Sequence, residues 1–113
     1  MLTGELAEQL ERLGTMVVNT ITDDGQILTG IRVNVIMYPD MVFGGIIEAR
    51  PTGTPKTASQ TARELAQLDA EGEALICFLP VDGDSFVYFT IRDISPDSDT
   101  HTVTINLGDF HTC

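Results

Sequence analysis

Leucines at positions 6, 10 and 13 recur at the spacing of one helix face, with polar residues at most positions between them. Apolar positions three and four apart align on a helix of 3.6-residue period, so the pattern predicts a helix over residues 3–13. Thr3 stands where an N-cap belongs, Glu5 complements the positive end of the dipole, and Gly14 suits the left-handed residue that follows a helix. The period then changes to two. "TDDGQ" reads as a hairpin turn, because Asp-Gly tolerates the positive φ angles of a tight turn. Beyond it Ile27, Ile31, Val33, Val35 and Met37 share one strand face, while Gln26, Gly30, Arg32 and Asn34 share the other. "YPD" interrupts the alternation, and residues 41–49 read as a third strand in which Gly44-Gly45 marks a bulge or a close approach.

Helical spacing returns over residues 58–70 through Ala62, Leu65, Ala66 and Leu68, and Gly72 closes it. "EALICFLP" is a continuous apolar run, as expected of a strand buried on both faces. "VDGD" offers a second turn, "SFVYFTIRDI" a strand and "SPDSDT" a loop. In the last strand, "HTVTINL", Val103, Ile105 and Leu107 alternate with Thr102, Thr104 and Asn106. The order is helix, three strands, helix, three strands. Its markers (ELA, a glycine, Asp-Gly and Ile-Arg) recur at offsets of 58 to 60 residues. An αβββ duplication with half-repeats 3–49 and 58–107 would produce this, as would chance combined with shared hairpin chemistry. Six mostly antiparallel strands and two helices predict a single α+β domain over residues 1–113, built as a two-layer sandwich.

Charge changes the picture more than size does. Seventeen Asp and Glu against six Lys and Arg leave a formal charge of −11. Neutralising phosphates needs clustered bases, so a broad duplex nucleic-acid face is excluded. The acidity then means solubility by self-repulsion, adaptation to a salt-rich cytoplasm, or an inhibitor or nucleic-acid mimic that engages a basic partner. One Lys, ten Asp and fourteen Thr suit the salt-adapted account. No apolar run approaches the ~18 residues that span a bilayer, so no membrane partner is expected. Acidic residues stand where a signal peptide would carry bases, and two cysteines make no disulfide framework. The expected location is cytoplasmic.

Half of the basic side chains, Arg50, Lys56 and Arg63, fall within "EARPTGTPKTASQTAREL". Thr57 and Gln60 have capping-box spacing, which starts the second helix near residue 58. Arg50, Lys56, Thr57 and Arg63 are therefore candidates for an anion site at a helix N-terminus; an ordinary capped helix entrance is the plainer account. Arg32 and Arg92 hold matching places in the two Ile-Arg segments, on the face opposite the main apolar set. Leu28, Phe86 and Tyr88 would add apolar area there. That face reads as solvated sheet, ligand platform or subunit interface, and enrichment of Arg and Tyr at interface centres favours a homodimer. His101, His111 and Cys113 with Asp97 and Asp99 match turn chemistry as well as metal ligation, and no metal or other cofactor is expected. Neither G-x-S-x-G nor a phosphate-loop motif occurs, and Cys77 sits within an apolar run. The expected function is a non-catalytic, self-associating module that binds a protein partner or a small ligand. The alternatives are a small enzyme or anion sensor using the basic loop, and an inhibitor or nucleic-acid mimic.

Overall fold

Helices α1 (Thr3–Glu11) and α2 (Ala58–Leu65) each precede a run of strands in the computed structural model, which describes residues 1–22, 24–34, 43–50, 53–78 and 87–111. Strands β1 (Val17–Ile21), β2 (Ile27–Leu28), β3 (Gly30–Asn34) and β4 (Phe43–Arg50) follow α1. Strands β5 (Glu73–Phe78), β6 (Val87–Asp97) and β7 (Thr102–His111) follow α2. All belong to one seven-stranded mixed sheet in the order β2-β1-β7-β6-β5-β4-β3. The two strands at the ends of that order are consecutive in the chain, with only Thr29 between them. Leu28 pairs with Thr20 of β1, and Gly30 pairs with Arg50 of β4. One extended segment thus serves both edges, and the sheet curls nearly into a barrel.

This corrects the six-stranded, two-layer sandwich. The class is α+β with two helices, but the strand expected after the first turn is divided at Thr29, and the sheet curls round toward itself. The division also shifts the side-chain phase. Strict alternation would set Leu28 beside Arg32; instead Leu28 (3% exposed) and Ile31 both enter the core, and Ile27 is 61% exposed. The continuation of that strand past Asn34 and the second Asp-Gly turn lie outside the described residues.

Four pairings are antiparallel (β1–β2, β3–β4, β5–β6 and β6–β7), while β1–β7 and β4–β5 are parallel. A helix followed by a three-strand meander therefore occurs twice, if β2 and β3 count as one segment. Each meander reaches the other only through parallel pairs. The helix starts obey the same exchange: Leu2 bridges Glu73 at the head of β5, and Thr57 bridges Val17 at the head of β1.

Leu2, not Thr3, is the N-cap of α1, and it makes no side-chain cap. Thr3 works inward. Its hydroxyl donates to the Gly72 carbonyl at 2.9 Å and accepts from the Gly45 N–H at 2.8 Å, joining α1 to β4 and to the turn before β5. Helix α2 stops at Leu65, short of residue 70, because Gln67 and Leu68 donate to the carbonyls three residues back in a tighter turn. Gly14 follows α1 at φ +60°, as its position predicts. Strand β6 continues through Pro96 and Asp97, where a loop was expected. Its pairing with β5 ends at Thr90, and a one-sided strand tolerates a proline without an N–H.

The main core joins one sheet face to both helices. Val18, Leu28, Ile31, Ile47, Ile76, Ile91, Val103 and Ile105 pack with Leu6 and Leu10 of α1 and Ala58, Ala62 and Leu65 of α2. A second buried cluster, Ile46, Leu75, Cys77 and Tyr88, occupies the opposite face of β4 to β6.

Candidate functional site

Where the strand changes partner at Thr29, the wall has a seam, and a groove of about 260 Å³ lies there. Strand β3 contributes Gly30, Ile31 and Arg32, and β4 contributes Glu48 and Arg50. Gly53, Thr54 and Lys56 close it from the segment before α2. The antiparallel register sets Arg32 opposite Glu48 and Gly30 opposite Arg50. Arg32 and Arg50 are therefore diagonal neighbours on one face, about 7–8 Å apart.

Gly53 allows the segment to lie this close. Its φ of +147° is one that L side chains rarely adopt, and a Cβ there would stand 3.3 Å from the Gly30 Cα. The chain then fastens onto β1: the Val18 N–H donates to the Lys56 carbonyl at 2.9 Å, and the Ala58 N–H to the Met16 carbonyl at 2.7 Å. These bonds hold the Lys56 backbone beside β3 and β4.

The charges in the groove are unevenly matched. Lys56 Nζ donates to both carboxylate oxygens of Glu64, at 2.8 and 2.7 Å. Glu48 has interactions of its own. Arg32 and Arg50 are exposed and have no ion-pair partner among the described residues. Like charges at diagonal positions oppose folding modestly, while the opposite charge of Glu48, directly across from Arg32, offsets this in part.

The start of α2 is fully bonded. Thr57 and Gln60 form the reciprocal capping box. The Ala58 and Ser59 N–H groups donate to Met16 and Gly14, Gln60 to the Thr57 hydroxyl, and Thr61 to the Thr57 carbonyl. An anion at the helix end would find no N–H to accept from, and the groove lies beside that end. Thr57 acts as a cap, and Arg63 is exposed in the last turn of α2, away from the groove.

The structure therefore joins Arg50 and Lys56 to Arg32, which the alternation had grouped with Arg92. Arg92 lies on β6, exposed, its Nε 3.7 Å from a carboxylate oxygen of Asp93. Of the apolar area expected beside these arginines, Leu28 is inside the core, Tyr88 is only 8% exposed, and Phe86 lies outside the described residues. Gly30, Glu48 and Thr54 are lining residues that the sequence reading did not single out. One signal for them exists. The β3–β4 register is centred on residue 40, within the "YPD" breaker, so a hairpin folded there sets 32 against 48 and 30 against 50.

Other chemistry is sparse. Burial, and then the nearby Glu48 carboxylate, push the Cys77 thiol up to about 11, which removes it as a nucleophile near neutral pH. His101 occupies the turn before β7 at φ +55°, exposed, with Nε2 2.8 Å from the Thr15 hydroxyl. Among the described residues, no three His, Cys, Asp or Glu side chains gather as a metal site, and no helix is long and apolar enough to cross a membrane. No family model matches the chain, and neither a curated protein nor a solved structure shows significant similarity to it.

Proposed function

We propose that this chain is a non-catalytic binding module that holds a small anionic ligand in the groove at the sheet's seam. The observation that carries the reading is the pair Arg32 and Arg50, which line one groove without an ion-pair partner among the described residues. With acids outnumbering bases seventeen to six, carboxylates are plentiful, yet neither guanidinium forms an ion pair among the described residues. Guanidinium forks match the oxygens of carboxylates and phosphates and bind them bidentately. Glycine backbone along one side of the groove leaves room for such a ligand. The long-range field of an acidic protein opposes anion approach, but it is screened beyond about 8 Å at physiological salt, so the nearby cations dominate at contact.

Calorimetric titration with phosphate, sulfate and citrate tests this. At least one should bind the wild type at low ionic strength and lose that binding when Arg32 and Arg50 are both replaced by alanine. Equal affinity for the two proteins, or none for the wild type at millimolar concentration, retires the groove as an anion site.

A further inference from the structure

We infer that the groove's ligand is a small amphiphilic monoanion, an unbranched carboxylate whose hydrocarbon tail runs from the groove onto the exposed pair Ile21 and Ile27. The inference rests on the anion-binding reading above and specifies its ligand class. Charge sets the head group. Lys56 is satisfied by both oxygens of Glu64, and Glu48 stands directly opposite Arg32 in the same lining. Arg32 and Arg50 less Glu48 leave one net positive charge, which a single carboxylate matches. Its two oxygens can accept from both guanidiniums, because diagonal positions of a strand pair lie within reach of long side chains.

The tail follows from what adjoins the groove. Among the described residues three large apolar side chains are exposed: Leu2, Ile21 and Ile27, the last at 61%. Two of them, Ile21 and Ile27, are direct cross-strand partners in β1 and β2. Their chain neighbours Thr20 and Leu28 are buried, so both point away from the helix-covered core. Arg32 and Arg50 share that side, because their own neighbours Ile31 and Ala49 belong to the core. Ile27 stands three residues before Gly30 of the groove lining, a span of about 10 Å along an extended chain. An apolar pair that close to a net positive charge suits one molecule with a charged end and an apolar end. At about 1.5 Å per bond, a zigzag of about eight carbons covers the distance.

Octanoate is the probe. Butyrate keeps its head group and shortens the tail, and suberate keeps its length but ends in a second carboxylate. Each is titrated by calorimetry at low ionic strength into the wild type, Arg32→Ala, Arg50→Ala, Ile27→Thr and the control Arg63→Ala. Octanoate should bind at least about tenfold more tightly than butyrate. A fully buried methylene contributes about fourfold, and four more of them on an open sheet face keep part of that. Suberate should bind at least about tenfold more weakly than octanoate, since its second charge falls on the isoleucines. Either arginine variant should lose about tenfold or more of the octanoate affinity, and Arg63→Ala none. Ile27→Thr alters an exposed side chain and leaves the core intact, so it should weaken octanoate about threefold or more and leave butyrate unchanged. If butyrate or suberate matches octanoate, or Ile27→Thr binds octanoate as the wild type does, the amphiphile inference is overturned. The anion groove then stands wherever phosphate, sulfate, citrate or butyrate binds through the arginines. Octanoate binding that survives both arginine substitutions is apolar adsorption and overturns the inference too. The absence of binding by every anion removes the anion-binding reading itself.

Discussion

Cys77 shows what a single position does when its neighbours are apolar on one side and acidic on another. It is 2% exposed, shares a cluster with Ile46, Leu75 and Tyr88, and pairs across β4 with Glu48. Burial first, and Glu48 second, raise its pKa from an ordinary 9.0 to about 11. Between those values the unfolded chain has released the thiol proton and the folded chain has kept it. Stability is therefore unaffected by this group below pH 9 and falls as pH rises toward 11, by on the order of 2 kcal/mol. In a Cys113→Ser background, native protein at pH 8 should resist Ellman's reagent until denaturant is added, and Cys77→Ala should flatten the alkaline loss of stability. Rapid labelling of native protein, or an unchanged alkaline slope, would contradict this placement. The candidate site was less legible at this scale than the thiol. Arg50 and Lys56 stood out because bases are rare, and Gly53 because turns need it. Alternation places Arg32 on a face with Tyr88, and the registers keep both in one row. The strand beside it was not foreseen, because alternation assigns a face and says nothing about which strand lies alongside. Lys56 illustrates the complementary limit: its partner Glu64 is one of seventeen acids, and only folding selects it.

Among elements, the helices were readable and their attachments were not. Leu6, Leu10, Ala62 and Leu65 recur at the period that buries one helix face, and the Thr57–Gln60 box marks the start of α2. What the pattern omits is the partner. The close approach expected at Gly44-Gly45 has a concrete form: α2 rests on β4 through Gly45, where a Cβ would stand 2.4 Å from Leu65 Cδ2 and 3.4 Å from Thr3 Cγ2. Leu65 and Thr3 are both fully buried, so neither can swing aside into solvent. Gly45→Ala should therefore cost about 1–3 kcal/mol through overpacking, and Leu65→Val in the same chain should restore part of it. Chemical denaturation of the single and double variants measures both values, and a Gly45→Ala protein as stable as the wild type would mean that α2 does not sit on β4. The division at Thr29 was hidden for a related reason. Leu28 and Ile31, three apart and both inward, break the two-residue period within a segment whose composition is ordinary for a strand, so the signal resembles noise until β1 and β4 are seen on its two sides.

For the molecule as a whole, the consequence of this topology is that neither half completes a structure alone. In the first half, β1 pairs with β2 and β3 pairs with β4; in the second, β5, β6 and β7 form a meander. The remaining edges meet only across the halves, through β1 with β7 and β4 with β5. The helices follow suit. The Thr3 and Gly4 N–H groups donate to Gly72 and Ala70, while those of Ala58 and Ser59 donate to Met16 and Gly14. A separated half would expose two strand edges and the helix-facing core together, and a piece of that size buries too little apolar surface to offset its chain entropy. Chains 1–52 and 53–113 prepared apart should therefore give no cooperative thermal transition. Mixed at equal concentration, they should recover the far-ultraviolet circular dichroism of the intact chain. The melting temperature of the mixture should rise with concentration, as mass action requires when two pieces share one fold. The groove supplies a second readout, since Arg32 and Arg50 come from one fragment and Lys56 from the other. An anion that binds the intact chain should bind the mixture and neither piece alone. A cooperative, concentration-independent transition in either fragment would show that its own contacts suffice, and that the parallel pairs between halves do not hold the fold together.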